Sequence, residues 1–505
     1  MPSRRDFLRL TAAGAASLAL PTERLAALAG DPLRPFQVPL RIPPVAEPVL
    51  RAGGRDLYEM TMREARVEMI PGVRTTIWGF DGRFPGPTFK VKRGREVVVR
   101  RINRLKVPTT THLHGGKVPW KSDGHPSLLI PPGGAYEYVY PNDQEAATLW
   151  YHDHLCKKTS RNTYMGLAGM YIIEDEEEES LNLPRGRYDV PLVLQDRDFN
   201  KRGELRFRDA VDEILGNVVL VNGRPTPYMK VAARKYRFRI LNASHTRGYR
   251  LALDNRMPLI QIASDQGLLT APYPAPDIPL WPAERAEVIV DFSLFPVGTS
   301  VVLHDLQDPT DPASARPVMR FDVAREAEDT SSLPPVLRPV ERLLPGPGTV
   351  RREFVLSQNL DKNRWEINGK PFDAARVDAE PRLGDTEIWT FVNRSSMVHP
   401  MHVHLVRFQI LERSNAPITP GELGWKDTVR VDPSANSVSI IMRFEGFTGR
   451  YMFHCHNLAH EDHSMMGQML VRPGDDATAR AAEPEFAGGY AAGRAGLPFR
   501  CDFRS

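Results

Sequence analysis

The sequence predicts an all-β protein built as three β-sandwich domains in tandem, on three observations. Its 505 residues far exceed one hydrophobic core and, at roughly 100–150 residues per domain, correspond to about three. One pattern occurs three times, an alternating strand that ends at asparagine: Arg95 to Asn103 (REVVVRRIN), Lys235 to Asn242 (KYRFRILN) and Thr386 to Asn393 (TEIWTFVN), with the asparagines 139 and 151 residues apart. A glycine turn precedes each strand, at Gly82 (DGRFPGP), Gly223 (NGRPTP) and Gly369 (NGKPFD), spaced by 141 and 146 residues. Two independent markers with one period indicate a repeated unit. Runs such as Val97-Val98-Val99, Tyr136 to Tyr140 and Val438 to Met442, punctuated by Gly and Pro, favour sandwiches over helical repeats.

The elements then follow in order. Residues 1–29 read as an export signal: the paired Arg4-Arg5 with Phe7-Leu8, an Ala/Leu-rich run from Leu10 to Leu20, and Ala27-Leu28-Ala29 before Gly30 resemble a twin-arginine signal peptide. The apolar run is too short for a spanning helix, which needs roughly 20 residues, so no membrane anchor is expected after cleavage. The sandwiches are placed at 36–178, 185–325 and 350–473. The acidic run Glu174 to Glu179 and the proline-rich stretch Ser332 to Gly348, within a linker at 326–349, read as solvated connectors. An Ala/Gly-rich tail occupies 474–505.

Composition excludes several classes. Gly and Pro together supply 82 residues and 41% of the chain is hydrophobic, so real cores are within reach and disorder is excluded for most of the length. The net charge of +4 falls to +2 without residues 1–29, leaving no broad footprint for nucleic acid. Three cysteines, Cys156, Cys455 and Cys501, cannot make a disulfide framework or a Cys-rich zinc module.

Histidine carries the functional signal. Ten of the fourteen histidines fall in four short motifs: His112-Leu113-His114, His152-Asp153-His154, His399-Pro400-Met401-His402-Val403-His404, and His454-Cys455-His456 with His460 four residues on. Alternate residues of a strand face the same way, so each His-x-His can present two imidazoles to one side. The first and third repeats hold all ten; the second holds His245 and His304, outside such pairs. A site shared by domains one and three follows, with the middle domain as spacer. In the last motif the alternation throws Cys455 to one side and His454 and His456 to the other, so a thiolate-bound metal and an imidazole-bound cluster sit back to back through a few covalent bonds. One thiolate, two imidazoles and a weak axial methionine form the donor set of a blue-copper electron-transfer site, from which redox-silent zinc would gain nothing. His399 and His460 are the candidate imidazoles, Met465 the candidate axial ligand, and Met466 its competitor.

These motifs in order (HLHG, WYHDH, HPMHVH, HCHNLAHEDHSMM) make the chain, from about Val38 to Val471, resemble the three-domain multicopper oxidases of the spore-coat laccase, bilirubin oxidase and phenoxazinone synthase group. The resemblance implies three cupredoxin-like Greek-key sandwiches and four copper ions. Carried over, it implies His112 and His402 as ligands of a type 2 copper, and His114, His152, His154, His404, His454 and His456 as ligands of a type 3 pair. His399, Cys455, His460 and Met465 would hold a type 1 copper. It implies one-electron oxidation of phenols or similar electron-rich small molecules, with O2 reduced to water. Four electrons require four protons, and Asp123 and Glu461 match the positions of proton relays in similar enzymes.

Three competing functions are distinguishable. A cuprous-ion oxidase would carry a Met-rich insert, and the sixteen methionines are scattered. A bilirubin oxidase-type activity would show in a substrate screen, and a non-enzymatic copper store would take up no O2 with a phenol. Cys156 and Cys501 are either bridged, with the tail folded back over domain one, or free thiols. The expected product is a monomer in the periplasm or outside the cell.

Overall fold

The computed structural model describes residues 34–307, 314–474 and Cys501; the expected signal peptide and most of the tail lie outside them. Six sheets form three face-to-face pairs. The first pair uses strands between Leu50 and Glu174, the second between Asp189 and Glu326, the third between Val350 and Val471. Among the described residues helix is confined to short pieces, the longest being Thr159–Met165, and none is long and apolar enough to cross a membrane.

The repeat seen in the sequence is a repeat of hydrogen bonding. Each strand ending in asparagine pairs in parallel with the first long strand of its domain: Glu96–Asn103 with Arg55–Glu68, Lys235–Asn242 with Asp189–Arg197, and Thr386–Asn393 with Val350–Asn359. The terminal asparagine is wholly buried each time and replaces a backbone at the point where the chain leaves the sheet. Asn103 donates through Nδ2 to the carbonyls of Val107 (2.8 Å) and Ile130 (3.0 Å) and accepts Leu105 N–H at Oδ1 (2.9 Å). Asn242 does the same with Arg247, Leu280 and Ser244, and Asn393 with Met397, Val431 and Ser395. Satisfying three buried backbone groups with one amide is why the residue recurs.

The glycine marker has an equally local cause. Asp81-Gly82, Asn222-Gly223 and Asn368-Gly369 all have two successive residues at positive φ, the conformation of a type I′ turn. The side chain before each glycine accepts a backbone N–H of the neighbouring strand, from Thr61, Val193 and Val355 respectively.

Within strands the alternation places one face on a core. Glu96–Asn103 and Ala135–Tyr140 alternate strictly between buried and half-buried positions. The middle domain departs from this pattern: every residue of Asp189–Arg197 is buried, because the second face of its seven-stranded sheet lies against domain one. Leu241, Val193 and Ala283 pack there on Trp150 and Met170. The same face buries Arg237 and Arg239 among Glu178, Asp189 and Glu287.

Both expected connectors are therefore partly buried. In the acidic run, Asp175 caps the helix Glu176–Ser180 and takes Arg338 at 2.6 Å, while Glu178 answers Arg237 and Arg239. In the proline-rich stretch, Leu337, Arg338 and Leu343 are buried. Charge and proline content do not reveal that partners wait across a domain boundary. Cys156 and Cys501 are bridged, with Cα atoms 5.9 Å apart, which decides between a disulfide and two free thiols.

Candidate metal centres

The third domain supplies the scaffold of two sites. Strand His399–Val403 lies antiparallel to Gly449–Cys455 with Met401 opposite Cys455 and His402 opposite His454. Period-two alternation therefore turns Met401 and Cys455 into the domain-three core and His402 and His454 towards domain one. There the mirror arrangement waits: His112–His114 pairs with Ala147–His152, His112 opposite His152.

The imidazoles meet tip to tip. Nε2 atoms approach at 3.4 Å for His112 and His402, 3.4 Å for His152 and His456, 3.2 Å for His154 and His454 and 3.1 Å for His404 and His454. All these rings are buried. Several outer nitrogens face acceptors: His112 Nδ1–H donates to Asp123 O (2.6 Å), His152 Nδ1–H to Asp153 O (2.8 Å), and His402 Nδ1–H to Asp427 O (2.7 Å), while Nδ1 of His154 and of His456 is buried without a hydrogen-bond partner. His404 Nδ1–H donates to Asp123 Oδ2 (2.7 Å). His114 is reversed, with Nε2–H donating to Asp427 Oδ1 (3.0 Å) and a buried Nδ1 without a hydrogen-bond partner. A proton-bearing outer nitrogen fixes the tautomer and leaves the inner lone pair to a Lewis acid.

Burial, followed by repulsion from neighbouring imidazoles, pushes His152, His402, His404 and His456 far below the ordinary histidine range. Burial, then chiefly His402 and Arg285, does the same to His114, and burial brings His154 down to about 3. Neutral lone pairs converging in a dry space with no donor between them are what a metal cluster requires. The nitrogens fall into three compact groups, His112/His114/His402, His114/His152/His456 and His154/His404/His454, each within 4.8 Å.

The second site lies on the other face of Cys455. Its Sγ is 3.5 Å from both His399 Nδ1 and His460 Nδ1, which are 3.1 Å apart. Burial pushes the Cys455 thiol far up and brings His399 down to about 3, so a thiolate is stable there only if a cation takes the place of the proton. The donor set of one sulfur and two imidazoles, with a wholly buried thioether in the same core cluster, fits copper. That thioether is Met465, which packs in the cluster containing Cys455. Met466 lies opposite His454 in the ladder and packs with Cys156, Phe372 and Cys501.

Both acids expected at the site are beside histidines. Asp123 reaches His404 as above, and its Oδ1 is buried without a hydrogen-bond partner. Glu461, on the short helix Leu458–Asp462, lies between His154 Nδ1 (3.5 Å) and His454 Nδ1 (3.2 Å). Sequence reasoning missed Asp427, an acid outside any histidine motif, and Trp365, whose ring lies 4.0 Å from that of His460. It also missed the middle domain's part: Gln266 Nε2 donates to Asp427 Oδ2 (2.6 Å) and Arg285 grips the same carboxylate.

Three sandwiches enclosing a buried cysteine–imidazole site, back to back with an eight-imidazole chamber across one strand, define a redox-copper oxidase. Comparison with known proteins agrees. Family models described as multicopper oxidase match residues 61–178 and 347–475. The chain is 36% identical to a laccase of Bacillus stratosphericus over 87% of its length and 99% of that protein. It is 38% identical to a bilirubin oxidase of Albifimbria verrucaria over 85% of its length and 80% of that protein. A solved laccase from Pediococcus acidilactici superposes with a TM-score of 0.80 at 34% identity, covering 87% of this chain and 96% of that one. The chain belongs to the multicopper oxidase family; it is a laccase-like, copper-dependent oxidoreductase that uses O2 as acceptor and has cupredoxin-like domains.

Proposed function

We propose that the enzyme oxidises phenolic or similarly electron-rich small molecules by one-electron steps, using four copper ions. His399, Cys455, His460 and Met465 hold one, His112 and His402 a second, and His114, His152, His456 and His154, His404, His454 the remaining pair. The observation that carries this reading is the division of donors along one strand: Cys455 Sγ faces one site while the flanking His454 and His456 face the other. Copper supplies one-electron redox couples at the first site and a place to bind and reduce O2 at the second.

The chain's own residues do the rest. Cys455 joins the two sites through its backbone. Asp123 Oδ2 accepts the His404 proton and Glu461 sits between two imidazoles, so both can hold protons beside the chamber as dioxygen takes up four electrons and four protons to give two waters. The electron-entry histidine, His460, is fully buried beneath Trp365, whose Nε1–H donates to Val211 O (2.9 Å), and beside Asn457, whose Nδ2 donates to Asp212 O (3.1 Å). This strap from the middle domain covers the entry point, so substrate electrons cross a protein wall.

Export by the twin-arginine route to the periplasm or beyond, as an unanchored monomer, belongs to the same reading; Arg4-Arg5 and the short apolar run support it. The test is purification with copper analysis. Four coppers per chain, a blue protein and phenol oxidation coupled to O2 uptake without peroxide are expected. Cys455→Ser should abolish the colour and the oxidation while the protein still folds; a variant that stays blue would overturn the assignment.

A further inference from the structure

The middle domain holds none of the ten motif histidines, yet it reaches the wall of the imidazole chamber. Asp427 is wholly buried and serves two histidines at once: its carboxylate accepts His114 Nε2–H (3.0 Å) and its backbone carbonyl accepts His402 Nδ1–H (2.7 Å). Whatever seats the carboxylate of Asp427 therefore bears directly on His114, and on His402 through the backbone of the same residue.

Arg285, in the middle-domain strand Arg285–Asp291, is also wholly buried and uses all five donors. Its two terminal nitrogens hold Asp427 Oδ1 (2.7 Å) and Oδ2 (2.5 Å) in a fork. The remaining donors go to backbone carbonyls: Nε to Thr148 of domain one (2.9 Å), and the terminal nitrogens also to Ala283 and Asp265 (both 2.9 Å). The guanidinium is thus fixed to two domains and aims at the third. The neighbouring residues repeat the match with opposite sign, since Lys426 takes Asp265 (2.8 Å) and Glu284 (3.2 Å). The pair Lys426-Asp427 of domain three is therefore met by the pair Glu284-Arg285 of domain two. The seat has no slack on its far side: Gly115, which follows His114, has φ +82°, and a Cβ there would come within 2.5 Å of Asp427 Oδ2.

We propose that Arg285 is a positioning residue for the dioxygen-reducing centre: it seats Asp427 so that His114 and His402 are held in opposite tautomers, with His114 Nδ1 and His402 Nε2 left facing the metals. Two further donors reach the same carboxylate, Gln266 Nε2 at Oδ2 (2.6 Å) and Thr428 Oγ1 at Oδ1 (3.0 Å); each touches one oxygen from a separate side chain, whereas the rigid guanidinium holds both oxygens in one plane. The proposal rests on the reading of His112, His114 and His402 as copper ligands.

The experiment is a chelator titration of the copper-loaded protein, following the type 2 signal by electron paramagnetic resonance and the type 1 site by its blue absorbance. Arg285→Gln should weaken retention of the type 2 copper by about 10- to 100-fold and alter its hyperfine splitting, with the blue band unchanged. Arg285→Lys keeps the charge but not the fork, so it should fall between the two; it carries the comparison if Arg285→Gln does not fold. Arg237→Gln, equally buried between domains but bonded to Glu178 and Glu287, should cost stability and leave the type 2 signal alone. Equal copper retention in wild type and the Arg285 variants overturns the proposal, as does an equal loss in Arg237→Gln. A wild type with no type 2 signal would instead overturn the ligand assignment beneath it.

Discussion

The repeating asparagine gives the most quantitative test of why this sequence folds as it does. Replacing Asn393 by alanine deletes three bonds to backbone, the donations to Met397 O (2.7 Å) and Val431 O (3.2 Å) and the acceptance of Ser395 N–H (2.9 Å), and a fourth from the half-buried Ser395 hydroxyl (2.9 Å). At about 1 kcal/mol net per buried hydrogen bond the three backbone bonds account for about 3 kcal/mol, and the Ser395 hydroxyl bond together with the desolvation of groups left without partners raises the loss towards about 5 kcal/mol. At roughly 4 °C per kcal/mol for a unit of this size, Tm of the third domain falls by roughly 12–20 °C. Asn242→Ala removes the same three bonds in the middle domain and should cost a similar amount. The two differ in one respect: the Asn393 loop carries Ser395, whose hydroxyl lies 2.8 Å from His399 Nε2. Asn393→Ala should therefore shift the blue absorbance in the native protein, and Asn242→Ala should not. Calorimetry gives the stability of each variant, and the blue band reports the third domain separately. Losses below about 1 kcal/mol at both positions, or the same change of colour in both, would refute the argument that one amide holds each sheet exit.

Three further outcomes are expected. Asp123→Asn removes the charge beside His404 Nδ1 and should slow reoxidation of the reduced enzyme by O2; anaerobic bleaching by substrate should be unchanged, and slowing of that step would move Asp123 elsewhere in the mechanism. Met465→Leu keeps the volume and deletes the weak thioether donor, so redox titration of the blue band should give a higher potential, while Met466→Leu, in the cluster beside Cys156, should leave it unchanged. Acid should loosen the contact between domains one and two: burial raises the Asp189 carboxyl, but Arg239, Arg237 and Lys90 outweigh it and hold it at about 2 against an ordinary 3.8. Because the folded value is the lower one, the stability involved, about 2 kcal/mol, is present above pH 4 or so and lost as pH falls through about 2; Asp189→Asn should lose that dependence between pH 6 and pH 2.

Features legible in the sequence are those whose cause is local. Period-two alternation puts His454 on the face opposite Cys455 within the strand Gly449–Cys455, and His456, the first residue beyond the strand, stays on the side of His454. The Asn and Gly markers reveal the repeat because each reports a fixed backbone geometry, a sheet exit or a type I′ turn, that few other residues supply. Asp123 and Glu461 were legible through resemblance and through their closeness in sequence to His112 and His460. The expectation of solvated connectors failed because charge and proline describe a segment alone, whereas Asp175 and Arg338 bury each other across 163 residues of chain.

The middle domain shows where such reading stops. Arg285 opens a strand of ordinary alternation, RAEVIVD, and nothing in that segment marks it as different from an exposed arginine at a strand end. Besides the local Ala283 carbonyl, its partners come from three distant parts of the chain, Thr148, Asp265 and Asp427, which only the folded assembly brings together. A buried guanidinium would be costly without them, and a buried carboxylate equally so; each makes the other tolerable, and His114 uses the result. The imidazoles of the chamber thus come from domains one and three, but on the proposal made above Asp427, which accepts from two of them, is seated from the domain that supplies none. A protein reduced to its two histidine-bearing sandwiches would keep every histidine of the chamber and lose the fork on Asp427, so domain two belongs to the construction of the site as well as to its spacing.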